Sequence, residues 1–295
     1  MKYEFISKHR FAFRVEKMCR ALKVSRSGYY AWADRGPSQR EQMNQQLLVK
    51  IKRSYDSSRQ TYGSPRVTVD LRESGESCNQ KRIARLMRLN GLMAKTKRRF
   101  RITTNSRHNQ PAAPNLVNQE FVAEGPDRLW TSDITYLWTK AGWLYLSVVL
   151  DVYNRQIVGW AMSERLNRQL VIASLEQALN RRSPTENMIF HSDQGSQYTS
   201  DQFRTLLNNN GLLASNSGKG NCYDNAITET FFHTLKTELV YFENYQTREE
   251  AKLSVFEYIE VFYNRKRRHS ALGYKSPIDF LYQENYLNSV SEKSG

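Results

Sequence analysis

Apolar residues recur at helical spacing near the start of the chain. Val15, Met18 and Leu22 form one apolar face, and Ser25 stands where it can cap a second helix that is rich in aromatic residues. Two short helices joined by a tight turn are typical of a helix-turn-helix, which we predict over residues 1–36. Helix pairs of this kind also serve as plain packing units, but DNA contact is the interpretation that we favour.

A second helical domain is predicted over residues 37–104. Its first helix covers about 41–55, and its second has Ser64 as the expected N-cap and Gly75 as the terminator. Its third helix, in NQKRIARLMRLNG, has an apolar face and an opposite basic face. This pattern predicts another helix-turn-helix-like unit.

The basic face of that third helix continues into the run KTKRRFR. A basic face can simply be solvated, but a basic run directly after it favours binding to phosphates. The residues that we predict to bind DNA here are Lys81, Arg82, Arg85, Arg88, Lys97, Arg98 and Arg99.

The pattern changes after a polar segment with two prolines, residues 105–125, which we interpret as a linker. Over residues 126–239, three β-rich stretches with a turn near Asn154 predict an antiparallel meander. A helix, a strand, a helix, a short strand and a last helix follow. The order βββαβαβα is that of the ribonuclease H fold, an α/β architecture with a mixed sheet.

Two further groups of residues carry predictions in this half. Residues 240–295 are expected to form a helical, basic extension whose cluster, with Arg265, Arg267 and Arg268, either binds DNA or stays hydrated. We favour DNA for this cluster. The tryptophans of the sheet region are expected in the core: Trp130, Trp138, Trp143 and Trp160.

Charge is distributed very unevenly along the 295 residues. The formal net charge is +15, and residues 1–110 contain 26 lysines and arginines against 8 acids, so the excess lies in the N-terminal third. Such a surface suits a polyanion, because neutralised phosphates release condensed counterions.

Other composition signals exclude several classes of protein. Cys19, Cys78 and Cys222 lie far apart, so neither a zinc site nor a disulfide framework is expected. There is no signal-peptide pattern, and no apolar run is long enough to span a membrane. We expect a cytoplasmic protein that has no membrane partner and joins the nucleoid when it acts.

Three acids stand where this fold would bring them together. Asp133 lies within a predicted strand, Asp193 ends another, and Glu229 lies in the first turns of the last helix. Carboxylates are the ligands of Mg²⁺, with Mn²⁺ as a substitute, and two such ions activate the attacking oxygen and stabilise the leaving oxygen of a phosphodiester. We predict that the three acids hold two ions. Asp224 is a rival third acid, to which we assign helix capping.

The spacing of these acids resembles a known signature. There are 59 residues between Asp133 and Asp193 and 35 between Asp193 and Glu229, and Lys236 follows the glutamate by seven. This resembles the D,D-35-E pattern of retroviral integrases and of one group of bacterial insertion-sequence transposases. Four segments are similar to the second reading-frame (OrfB) product of the IS-three family: WTSDITY, HSDQGSQYTS, GKGNCYDNAITETFFHTLKTEL and YNRKRRHSALGYKSPIDF. The similarity covers nearly the whole chain.

The resemblance implies a transposase that cleaves double-stranded DNA at the ends of its element and joins a 3′-hydroxyl to target DNA. It also implies that Lys236 contacts DNA beside the scissile phosphate, that the chain assembles as a homo-oligomer on DNA, and that an upstream-frame (OrfA) product is a partner or fusion. Two alternatives stay open at this point: a regulatory subunit that is inactive alone, and a nuclease that shares only the fold. His191 either tunes the site or merely packs.

Overall fold

The computed structural model describes residues 2–95, 113–117, 121–218 and 225–292. Its N-terminal unit contains α1 (Lys2–His9), α2 (Val15–Ala21) and α3 (Arg26–Ala33). Ser25 caps α3 by accepting a hydrogen bond from the Gly28 N–H at 3.2 Å, as the sequence predicted. Ile6, Met18 and Tyr29 form a small core between the three helices.

The second unit contains α4 (Gln39–Ser57), α5 (Ser64–Glu73) and α6 (Gln80–Leu89). Ser64 is the first residue of α5 rather than its cap, since Gly63 holds the N-cap position. Gly75 lies just past the end of α5 with φ of 87°, a left-handed conformation that glycine adopts without steric cost. Ile83, Leu86 and Met87 of α6 are buried as predicted.

The sheet contains β1 (Leu129–Thr139), β2 (Gly142–Asp151), β3 (Ile157–Ser163), β4 (Ile189–Ser192) and β5 (Leu213–Asn216), in the spatial order β3-β2-β1-β4-β5. The first three strands are antiparallel, whereas β4 is parallel to both β1 and β5. The helices α7 (Arg168–Arg181), α8 (Asp201–Asn209) and α9 (Ala226–Glu238) complete the predicted order. The fold is therefore α/β and ribonuclease H-like.

Two cores lie on the two faces of this sheet. Trp130 belongs to the core shared with α7 and α8, whereas Leu137 belongs to the one shared with α9. Helix α7 approaches β3 closely at Gly159, where an added Cβ would lie 2.2 Å from the Ser174 carbonyl oxygen. A side chain at that position would push the helix away from the sheet.

The two tryptophans at the far end of the β1–β2 hairpin are not in the core, so the prediction for them was wrong. Trp138 is 58% exposed and Trp143 is 45% exposed, while Trp130 is buried. Strand β4 pairs with β1 only at residues 129–131, so the far half of the hairpin extends beyond it. The two rings pack edge to face, with centroids 4.8 Å apart.

The C-terminal extension contains α10 (Arg248–Phe256), a π-helical segment (Glu257–Tyr263) and α11 (Pro277–Glu292). Tyr258 and Phe262 of the π-helical segment enter the same core as the second helical unit. Tyr62 strengthens this contact, because its hydroxyl donates to the Lys266 carbonyl and accepts from the Arg268 N–H. The helical unit and the sheet domain thus share one core.

The described part of the predicted linker packs against the sheet domain. Val117 is buried with Leu129 and Val152, and the Ala113 N–H donates to the Asn216 side chain at 2.8 Å. Among the residues that the structure describes, no helix is both long and apolar enough to cross a membrane.

Candidate active site

Asp133 lies where β1 and β4 diverge. Its strand pairs with β2 on one side, whereas the pairing with β4 on the other side stops at Thr131. The half-buried carboxylate accepts a hydrogen bond from the Ile134 N–H at 2.7 Å. The gap between β1 and β4 beyond Thr131 gives the carboxylate room to face other groups of the chain.

Asp193 directly follows β4, as the sequence predicted. Its carboxylate accepts from the Gly195 N–H at 2.8 Å, and its carbonyl accepts from the Asn216 side chain at 3.0 Å. Gly195 permits this turn, because an added Cβ would lie 2.9 Å from the same carboxylate oxygen. The turn and β5 together fix Asp193 at the end of β4.

The other two predicted acids affect Asp133. Burial raises the pKa of Asp133 well above its usual range, and the carboxylates of Asp193 and Glu229 raise it further. The Ile134 N–H and the Lys236 ammonium oppose this rise in the pKa without cancelling it. We call Asp133, Asp193 and Glu229 the acidic cluster, and their joint role in binding metal stays a prediction.

Glu229 is the outermost member of the cluster. It lies in the first turn of α9 and is exposed, although partial burial still raises its pKa. Within the described residues, no three histidine, cysteine or acidic side chains stand in the tight grouping of a ready-made metal site. The metal site that the three acids would share therefore stays a prediction.

Lys236 reaches the cluster from the next turns of α9. Its ammonium lies 5.2 Å from the ring centroid of Tyr136 and interacts electrostatically with Asp133. Burial lowers the pKa of Lys236, whereas the charge of Asp133 raises it. The lysine is thus a neighbour of the acids, and its predicted contact with DNA stays a prediction.

His191 packs into the sheet. Its side chain is fully buried, its Nδ1 lies 2.8 Å from the Ser215 hydroxyl on β5, and its ring meets the edge of Phe121. Of the two alternatives for this residue, its contacts favour packing.

Tyr198 and Asn225 support the acids from positions that sequence reasoning missed. The buried Tyr198 hydroxyl lies 2.9 Å from the Ser132 hydroxyl, and the Asn225 amide donates to the Ser132 carbonyl at 3.1 Å. Burial raises the pKa of Tyr198 well above its usual range, and the charges of Asp133 and Asp193 raise it further. One signal for both residues was present in the sequence, because both lie within the segments that resemble the IS-three family.

Family models match most of the chain. An integrase core domain matches residues 123–222 and another integrase core domain matches residues 229–284, while an HTH-like domain matches residues 42–100.

Curated relatives match over almost the full length. Transposase InsF for insertion sequence IS3A from Escherichia coli (strain K12) is 44% identical over 282 residues, covering 95% of this chain and 98% of the relative. The chain belongs to the IS3 family of transposases. An insertion element IS600 uncharacterized 31 kDa protein from Shigella sonnei is 46% identical over 263 residues, covering 89% of the transposase and 97% of that relative. DNA transposition at insertion sequences is therefore the function of the chain.

Solved structures resemble the transposase more distantly. The simian T-cell lymphotropic virus intasome matches with a TM-score of 0.46 at 15% identity, covering 79% of the transposase and 74% of that chain. The HTLV-2 integrase catalytic core domain in complex with magnesium has a TM-score of 0.39 at 14% identity, covering 53% of the transposase and 97% of that chain.

The predicted DNA-binding residues of the transposase fall into three groups. The α6 residues Lys81, Arg85 and Arg88 are exposed, and Arg82 donates to the Asn44 side chain at 2.9 Å. Arg265 is also exposed. The remaining predicted residues of the basic run lie outside the described residues: Lys97, Arg98 and Arg99.

Arg267 and Arg268 are bound to acids of the same chain. Arg267 is buried and donates two hydrogen bonds to Glu238, at 2.7 and 2.8 Å. Arg268 forms ion pairs with Asp70 and Glu73 of α5. These contacts join the extension to α9 and α5, so we do not propose either arginine as a DNA contact.

Proposed function

We propose that Asp133, Asp193 and Glu229 bind two Mg²⁺ ions, with Mn²⁺ as a substitute, and that the transposase uses them to cut and join DNA strands. The reaction would cleave at the ends of the insertion sequence and transfer a 3′-hydroxyl to a target phosphodiester. The observation that carries this proposal is the acidic cluster around Asp133, where two further carboxylates raise its pKa and a single lysine opposes them.

The donor set fits a hard divalent cation. All three groups are carboxylates, and the neighbouring His191 contacts Ser215 and Phe121. Oxygen donors without nitrogen or sulfur suit magnesium or manganese better than zinc. A clustered set of acids with raised pKa values also has a strong electrostatic reason to bind a cation, since a cation removes the repulsion.

Each side chain has a distinct role in this proposal. Bound ions would activate the attacking oxygen and stabilise the leaving oxygen of the phosphodiester. Asp133, which is affected by both other acids, is the natural bridging ligand. Glu229 would complete the set from α9, and Lys236 would hold a phosphate oxygen beside the acids.

DNA would reach the site along the basic surface of the second helical unit. The exposed residues Lys81, Arg85 and Arg88 would contact phosphates together with Arg82, with the basic run Lys97 to Arg99 and with Arg265. A homo-oligomer would hold two element ends, and an upstream-frame product would act as partner or fusion. Such a protein would act in the cytoplasm, at the nucleoid.

The test is a strand-joining assay with duplexes that carry the two ends of the element and a supercoiled target plasmid. Asp133→Asn, Asp193→Asn and Glu229→Gln should each abolish Mg²⁺-dependent cleavage and joining while DNA binding persists. Asp201→Asn removes an exposed acid from the first turn of α8 and serves as the matched control. Near-normal joining by any one of the three variants would overturn the proposal.

The same assay addresses the regulatory alternative. Joining by the purified chain without an upstream-frame product would exclude a role as an inactive subunit. Joining that appears only when the upstream product is added would make the pair the active unit and leave the acids in their proposed roles.

A further inference from the structure

Ser132 joins the three segments that carry the acidic cluster. It immediately precedes Asp133 in β1 and is fully buried. Its hydroxyl lies 2.9 Å from the Tyr198 hydroxyl, and its carbonyl accepts a hydrogen bond from the Asn225 side chain at 3.1 Å. One residue of β1 is thus bonded to both segments that supply the other acids.

Tyr198 belongs to the segment that carries Asp193. It lies five residues after Asp193, and its N–H donates to the Gly195 carbonyl at 3.0 Å within the same turn. Its ring is buried and packs edge to face on Phe203 of α8, with centroids 5.5 Å apart. The ring has little freedom, so its hydroxyl ties the Asp193 turn to a fixed point on β1.

Asn225 belongs to the segment that carries Glu229. It holds the N-cap position of α9, one helical turn before the glutamate. A second bond lies beside it, because the Thr228 hydroxyl donates to the Thr131 hydroxyl at 2.7 Å. The first turn of α9 is therefore held to two successive residues of β1, directly before Asp133.

The contacts of Asn225 bear on its role. Asn225 is buried, and within the described structure its side-chain oxygen accepts no hydrogen bond. Its amide group donates to the Ser132 carbonyl. This bond between α9 and β1 fixes the orientation of the side chain.

We propose that Ser132, Tyr198 and Asn225 are positioning residues for transposition, which hold the segments of Asp133, Asp193 and Glu229 in mutual register. This inference rests on the proposed roles of the three acids. Its physical basis is that a displacement of about 1 Å in a catalytic group can lower a rate by about 100-fold. The three residues act through the acids and do not touch the reacting atoms.

The test compares variants that remove single polar groups. Tyr198→Phe and Ser132→Ala delete the two hydroxyls of one bond, and Asn225→Ala deletes the amide. Tyr258→Phe and Ser58→Ala are matched controls, since each removes a buried hydroxyl that is hydrogen-bonded elsewhere, to Glu238 and to the Tyr55 carbonyl respectively. Maximum joining rate, the Mg²⁺ concentration at half-maximal rate and thermal unfolding are measured for each variant.

We expect the variants of Ser132, Tyr198 and Asn225 to join DNA about 10- to 100-fold more slowly and to need more Mg²⁺, because misplaced acids bind cations less well. Their unfolding temperatures should change no more than those of the controls. The double variant of Ser132 and Tyr198 should be no slower than the worse single variant, since both single changes break the same bond.

Two results would overturn the inference. In the first, Tyr198→Phe has the same joining rate and the same Mg²⁺ requirement as Tyr258→Phe. In the second, the losses in joining rate caused by Ser132→Ala and Tyr198→Phe are fully additive in the double variant. Failure of the proposed function would look different, because the acid variants themselves would then retain joining.

Discussion

Helix α9 carries two glutamates with opposite surroundings at its two ends. Glu229, in the first turn, is exposed and belongs to an acidic cluster with one lysine. Glu238, in the last turn, is buried and accepts hydrogen bonds from Arg267 and from the Tyr258 hydroxyl at 2.8 Å. One end has carboxylates in excess of cations, and the other has its carboxylate fully paired.

This difference in charge pairing distinguishes a site suited to catalysis from one that stabilises the fold. A buried carboxylate needs partners to offset its lost hydration, which Glu238 obtains from an arginine and a tyrosine. The cluster around Asp133 keeps raised pKa values instead. This contrast is the reason for proposing that a cation binds here, since perturbed pKa values are common at functional sites.

The largest expected effect is on activity, at the first end of α9. Glu229→Gln should lower strand joining by on the order of 10³-fold or more, because it removes one charged ligand from the acid set. Thermal unfolding should stay close to wild type, since Glu229 is exposed. If Glu229→Gln both stops joining and strongly lowers the unfolding temperature, Glu229 stabilises the fold as Glu238 does, and the two ends of α9 do not differ in role.

The next effect is on stability, at the other end of the helix. Arg267→Met leaves Glu238 buried without its main partner and should lower the free energy of unfolding by about 3–5 kcal/mol. Combining it with Glu238→Met should restore part of the loss, because the unpaired buried carboxylate is removed, although Arg66, which lies 3.8 Å from Glu238, then loses that partner. Urea unfolding of the two variants measures both values, and an unchanged midpoint for Arg267→Met would contradict the paired-site interpretation.

A smaller effect concerns pH and the metal-free protein. Burial and the neighbouring carboxylates raise the pKa of Asp133, so its folded form holds a proton more tightly than its unfolded form. The contribution of Asp133 to stability therefore falls as pH rises from about 4, its unfolded pKa, through its raised folded pKa. Asp133→Asn should remove that loss and raise the unfolding temperature at pH 7 by about 2–5 °C without divalent ions.

Calorimetry across pH checks this expectation, with Asp201→Asn as the control. Added Mg²⁺ should raise the unfolding temperature of the wild type and not that of Asp133→Asn, because binding to the folded state stabilises it. A difference in unfolding temperature between Asp133→Asn and wild type that stays constant over the same pH interval would contradict the acidic cluster.

The smallest effect is expected in the two groups of arginines outside the site. Arg85→Gln should weaken DNA binding for all sequences and reduce the slope of log affinity against log salt by about 1, because Arg85 is exposed on α6. Arg268→Gln should leave that slope unchanged and lower stability instead, since Arg268 pairs with Asp70 and Glu73. Equal salt slopes for the two variants would show that exposure of Arg85 and acid pairing of Arg268 do not distinguish a DNA contact from a structural arginine.

Features that depend on near neighbours in the chain could be predicted from the sequence. The order of strands and helices, the Ser25 cap and the buried face of α6 follow from periodicity and capping, which act over a few residues. Element order and spacing also led us to expect Asp133, Asp193 and Glu229 near one another, and the metal site that they would share stays a prediction.

Tertiary structure decided where the partners of each charge and ring lie. Arg267 and Arg265 stand in the same basic cluster, yet only Arg267 meets a buried acid, 29 residues away in the sequence. Exposure of Trp138 likewise depends on where β4 stops pairing with β1. Ion pairs and the exposure of single side chains such as Trp138 depend on groups distant in sequence, which periodicity and capping do not identify. For the same reason, no pattern pointed to Ser132 as the residue that joins the three acid-bearing segments.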